Sequence, residues 1–110
     1  MEKAVQLLLD TLKIYSPSEK EGPLASFLLG QMRDEFGFRN TRIDSAGNAL
    51  GEIGEGSTHV LLCGPMDTVP GELPVKLEGD RVFGRGAVDA KSALCAMMVA
   101  ASQLKGRGLK

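Results

Sequence analysis

Two stretches of the chain place an aspartate shortly after an apolar, strand-like run, and these are the residues whose types and spacing could do chemistry. The first is Gly64-Pro65-Met66-Asp67-Thr68-Val69-Pro70-Gly71, which follows Val60-Leu61-Leu62-Cys63. The second is Gly84-Arg85-Gly86-Ala87-Val88-Asp89-Ala90-Lys91-Ser92, which follows Arg81-Val82-Phe83 and opens a helical pattern. Open α/β sheets gather their ligands at the carboxyl ends of strands. Asp67 and Asp89 are therefore expected at strand ends, facing one cleft.

Three chemistries compete for the second stretch. Gly84-x-Gly86 resembles the opening of a dinucleotide fingerprint, but Asp89 stands where the third glycine belongs. A carboxylate at that helix start would repel a pyrophosphate, which weighs against a nucleotide-binding module. A structural role makes Asp89 the N-cap of the helix. A metal role makes it a ligand, with Gly84 and Gly86 allowing the backbone to come close. Residue types alone leave the last two open.

The elements that must position these residues follow from hydrophobic spacing. Val5, Leu8, Leu9 and Leu12 recur at i, i+3, i+4 and i+7, one face of a first helix that ends near Ile14 and is stopped by Ser16-Pro17-Ser18. A second helix is expected from about Gly22 to Phe36, with Leu24, Phe27, Leu28 and Met32 on one face. Pro23 fits its first turn and Gly37 its C′ position. Residues 38–44 and 49–53 read as strands joined by the turn Ser45-Ala46-Gly47-Asn48. Residues 58–63 form a continuous apolar run, as in a strand covered on both faces. Residues 75–83 read as a hairpin turning at Gly79-Asp80. A final stripe of Ala90, Ala93, Leu94, Met97, Met98, Ala101 and Leu104 predicts a helix ending at Gly106.

This order is that of an α/β protein, and the last helix should lead back to a further strand. Residues 1–110 are accordingly expected to be one part of a larger domain. A central strand at 58–63 lacking neighbours on one side would expose an apolar edge, predicting self-association or marginal folding of these residues alone.

Composition narrows the partners. Of 110 residues, 43% are apolar and 25% charged, with a formal net charge of −1, the balance of a soluble globular protein. Near-neutral charge argues against nucleic acid or an anionic membrane surface as partner. No apolar run approaches the roughly 18–20 residues that span a bilayer. The N-terminus lacks the apolar stretch of a signal peptide, so a cytoplasmic location is expected. Cys63 and Cys95 form no CxxC pair and are too few for a disulfide framework. Both read as small buried apolar residues. Trp is absent, which removes the strongest base-stacking side chain.

Taken together, Gly64-x-x-Asp67-Thr68-Val69-Pro70 and Gly84-Arg85-Gly86-Ala87-x-Asp89-x-Lys91 closely resemble the co-catalytic zinc amidohydrolases, the family of acetylornithine deacetylase and succinyl-diaminopimelate desuccinylase. The compact spacer from Gly71 to Asp80 looks most like the lysine-biosynthesis branch, whose members free lysine or ornithine from an amino-group carrier protein, or lysine from N-acetyl-lysine. The segments Ser16-Pro17-Ser18 and Asp44-Ser45-Ala46-Gly47-Asn48 also sit where that branch has such segments. The resemblance implies a three-layer zinc-peptidase-like fold, a mixed sheet with flanking helices, of which these residues are the N-terminal portion of the catalytic domain. It implies two divalent metals, zinc or cobalt, and a homodimer for the full enzyme. Asp89 would bridge the metals, Asp67 would orient a histidine ligand, and the Asp89–Ala90 peptide would be cis. In the mechanism the resemblance implies, two metals held by such residues would lower the pKa of a water and a glutamate would shuttle its proton.

Two departures from the family pattern matter. The family's metal-binding histidine lies two residues before the aspartate, and that position is Pro65, which has no donor atom. The sole histidine, His59, falls inside the apolar run and reads as a strand residue with a locally satisfied imidazole. The family's other ligands, its glutamate base and its dimerisation domain correspond to positions beyond 110. Weak or no metal binding and no hydrolysis are therefore expected of residues 1–110 alone. The alternative is a degenerate, non-catalytic remnant that folds or binds a partner.

Overall fold

The computed structural model describes residues 2–105. Helix α1, Lys3–Leu12, buries Leu7, Leu9, Thr11 and Leu12. Val5 and Leu8, expected at the centre of its apolar face, are half-buried. The buried face is turned because α1 packs against α2 on one side and α3 on the other, which draws in Leu7 and Thr11.

Helix α2, Gly22–Gly30, carries Pro23 in its first turn and runs on into a π-helical turn, Gln31–Glu35. Leu24, Ala25, Leu28 and Met32 are buried and Phe27 is half-buried. Gly37, at φ +70°, closes the helix as expected of a C′ residue, and the Phe38 amide donates back to the Met32 carbonyl at 2.8 Å.

Strands β1, Arg39–Ile43, and β2, Ala49–Glu52, pair antiparallel with Arg42 opposite Leu50 and Ile43 opposite Ala49. The pairing is irregular between Arg39 and Arg42, where Asn40 takes φ +54°. Asp44 builds the connecting turn. Its carboxylate accepts the Ala46 amide at 3.0 Å, the Asn48 amide at 2.9 Å and the Asn48 side-chain amide at 3.0 Å. The hairpin lies on α2 so closely that a Cβ on Gly51 would stand 2.9 Å from Phe38 and 3.0 Å from the Met32 sulfur.

A second antiparallel pair, β3, Lys76–Glu78, and β4, Arg81–Phe83, turns at Gly79. Helix α3, Lys91–Ser102, follows. Its buried residues are Lys91, Cys95 and Met98, spaced i, i+4 and i+7. That corrects the expected stripe: Ala93 and Leu104 are exposed and Met97 and Ala101 only half-buried, because the face turned to α1 is the one begun by Lys91. Gly106, the expected helix end, lies outside the described residues.

The core is Leu7, Leu24, Leu28, Met32, Cys95 and Met98, with Phe36, Phe38, Met66 and Leu94 packed against it. Helices and short antiparallel strands share it, so the expected α/β class holds. Residues 58–63 depart from expectation: they join no ladder, and Val60 and Leu61 are 84% and 83% exposed. An apolar run becomes a buried strand only when other strands flank it, and among the described residues none does. Cys63 and His59 are consequently exposed, against the buried thiol and the strand histidine expected, whereas Cys95 is buried as expected. Among the described residues no helix is long and apolar enough to cross a membrane.

Candidate active-site segment

The two aspartate-bearing stretches are brought together: the one with Asp89 follows β4 as expected, whereas the run before Asp67 is not a strand. Asp67 lies in an extended loop that pairs with the segment following α1. Pro17 and Thr68 form an isolated parallel bridge, with the Thr68 amide donating to the Ser16 carbonyl at 2.9 Å and the Ser18 amide to the Thr68 carbonyl at 3.3 Å. Side chains reinforce it. The fully buried Ser16 hydroxyl donates to the Met66 carbonyl at 2.7 Å, and the Ser18 hydroxyl donates to Asp67 Oδ2 at 2.5 Å. Ser16-Pro17-Ser18 therefore does more than stop a helix: it holds the Asp67 loop and orients its carboxylate.

Asp89 lies where a short irregular stretch enters α3, is exposed, and precedes a cis peptide to Ala90, as the resemblance implied. Ala90 is the N-cap, and no side-chain hydrogen bond caps the helix. The N-cap reading of Asp89 thus falls.

Gly86 explains how the two stretches fit. Its φ is +91°, and a Cβ there would lie 2.9 Å from Thr68 Cγ2 and 3.1 Å from the Lys91 side chain. The glycine is needed for close approach, as its spacing suggested. A Cβ on Gly64 would stand 2.8 Å from the terminal methyl of Met97, which a turn of that flexible side chain could relieve.

Lys91 is the residue that sequence reading missed. It is 1% exposed, and its ammonium donates to the Thr11 carbonyl at 3.1 Å and the Ile14 carbonyl at 2.7 Å. The Thr11 carbonyl lies in the last turn of α1 and Ile14 just past it, so the cation also faces the negative end of the helix dipole. Burial lowers the Lys91 pKa from the ordinary lysine value, and Cys95 opposes that shift. Burial likewise raises the Cys95 thiol, against the Thr11 hydroxyl, which lies 3.6 Å from the sulfur, and the Lys91 charge. The available signal was the Asp-x-Lys spacing, but a lysine at a helix start reads as a solvated charge.

Beside the site, a cavity of about 500 Å³ is lined by Leu12, Tyr15, Leu73, Val75, Arg85 and Lys91, among others. Its rim is tied by the Gly71 amide donating to the Tyr15 hydroxyl at 2.7 Å and Arg85 Nε donating to the Gly71 carbonyl at 2.6 Å. Neither Asp67 nor Asp89 lines it.

The fit to a metal is incomplete. Among the described residues no three His, Cys, Asp or Glu side chains gather into a group that could hold an ion. A catalytic zinc needs about three protein ligands. Pro65 is exposed and supplies no donor, and His59 lies in the exposed run. Residues 2–105 alone do not make a metal centre.

The chain matches the model of peptidase family M20/M25/M40 over residues 61–110. It is 38% identical over 109 residues, 99% of its length, to a LysW-lysine/LysW-ornithine hydrolase of Saccharolobus islandicus. It is 47% identical over 103 residues to a protein of Pyrobaculum aerophilum that carries the same name provisionally. The chain spans 30% of the length of each of these relatives.

Proposed function

We propose that residues 1–110 are the N-terminal portion of the catalytic domain of a cytoplasmic, metal-dependent amidohydrolase that frees lysine or ornithine from a carrier-protein-linked form in amino-acid biosynthesis. The observation that carries this is the junction of the two motif stretches at Gly86, Thr68 and Lys91, which sets Asp67 and Asp89 on adjoining backbones. Identity to the LysW-lysine/LysW-ornithine hydrolases over nearly the whole chain supports the substrate class.

In this proposal Asp89 is the carboxylate these residues contribute to a two-metal centre, of zinc or cobalt, completed by side chains from elsewhere in a homodimeric enzyme. Asp67 is the orienting carboxylate. With proline at 65 there is no histidine for it to orient, and its partner is the Ser18 hydroxyl. Residues 1–110 alone bind metal weakly and do not hydrolyse amides.

Pro65 favours a second reading, a non-catalytic remnant. A chimera separates the two: residues 1–110 replace the matching segment of the S. islandicus relative, with proline or with Pro65→His. Release of lysine from the carrier-linked substrate by the histidine form supports the hydrolase. Silence of both forms in a folded chimera supports the remnant.

A further inference from the structure

Asp67 and Asp89 reach their places through different backbones, yet both backbones are fastened to one short piece of chain. On one side, the Lys91 ammonium, two residues past Asp89, donates to the Thr11 and Ile14 carbonyls. On the other, Ser16 and Ser18 bind the Met66–Thr68 backbone and the Asp67 carboxylate. Only Tyr15 separates Ile14 from Ser16, and Tyr15 is itself tied to the Gly71 amide. Resting on the proposed function for the identity of the two aspartates, we propose that residues 11–18 are the positioning element of the site, with Lys91 and Ser18 as positioning residues that set the Asp89 and Asp67 backbones in fixed relation.

The physical grounds are burial and bond count. Lys91 places a cation at 1% exposure, held by two main-chain carbonyls and, among the described residues, by no carboxylate. Losing that charged donor takes the ammonium from the part-buried Ile14 carbonyl and leaves the Thr11 carbonyl with the Ile14 amide at 3.2 Å, so the chain at the end of α1 is expected to move or take in water. Gly86 permits the lysine stem and Thr68 to pack on the same point, which transmits any movement at Lys91 to the Asp67 loop. Ser18 is exposed, so its hydrogen bond orients a carboxylate and supports no core.

Nuclear magnetic resonance of the full chain with carboxyl-labelled aspartate tests this without turnover. Ser18→Ala should shift the Asp67 carboxyl signal and leave that of Asp89 in place, and Ser18→Thr should restore it. Lys91→Met, which keeps the stem and removes the donors, should shift the amide signals of residues 16–18 and 66–68 together with those of Asp89 and Ala90. An Asp67 signal indifferent to Ser18, or Lys91→Met effects confined to α3, would overturn the proposal. If Lys91→Met does not fold, the Ser18 pair decides. A chimera that is silent in turnover while these signals behave as expected would count against the hydrolase and not against the positioning element.

Discussion

At the residue scale, the site depends on what Gly86 lacks as much as on what the aspartates carry. Gly86→Ala must place a methyl 2.9 Å from Thr68 Cγ2 at φ +91°. The expected loss is about 1–3 kcal/mol, read by chemical denaturation. Gly22→Ala, at the start of α2 with nothing within 4 Å, should stay within about 0.5 kcal/mol of the parent. Asp44 supplies a pH prediction. The Asn48 side-chain amide, then the Asn48 backbone amide, hold its carboxyl below the usual range. A carboxylate depressed in the folded state stabilises above its unfolded value, about 3.9, and loses that contribution as pH falls through the lower folded one. The β1–β2 turn should loosen across that acid window, with the Ala46 and Asn48 amide signals moving together. Invariance through the window would contradict it. The glycines and both aspartates were legible as residues from their spacing. Lys91 was not, because burial of a cation depends on two carbonyls some 80 residues earlier, which no local pattern shows.

At the element scale, the sequence was most legible where a segment's partner is close in the chain. The second helix with Pro23 and Gly37, the 39–52 hairpin and the 76–83 hairpin each satisfy their backbones locally, and each formed near its expected limits. The 58–63 run did not, because a buried strand is defined by its neighbours and none flanks it among the described residues. The buried face of α3 differs from its apolar stripe for a similar reason: small and apolar residues surround that helix, and packing against α1 decides which side is inside. The Ser16–Met66 link is also an element-scale feature, joining the end of α1 to the Asp67 loop at full burial. Ser16→Ala removes the donor and leaves the Met66 carbonyl short of a partner, an expected loss of about 1–3 kcal/mol. Denaturation midpoints of the two proteins check it. An unchanged midpoint would show that the link carries no stability.

At the scale of the whole molecule, the helical core with its two short hairpins leaves one apolar run uncovered. Val60, Leu61 and Leu62 are 84%, 83% and 55% exposed, side by side. Such a run is a template for pairing with another chain. Residues 1–110 alone should associate with themselves in a concentration-dependent way, and Leu61→Lys should weaken that association, as read by sedimentation velocity. A monomer across the micromolar range would contradict the expectation. The same scale bears on the proposed catalysis: among the described residues two carboxylates do not make a metal centre, and in the proposed hydrolase the other ligands come from residues outside those described.

The decisive measurement is carrier-linked lysine hydrolysis by the S. islandicus chimera, in the Pro65 form and in Pro65→His. Turnover is expected of the histidine form, and since losing even an outer-shell partner of a metal ligand costs about 10–100-fold, the proline form, which lacks the ligand itself, is expected to be slower by at least about a hundredfold. Equal turnover by both forms, or none by either in a folded protein, would contradict the proposed function.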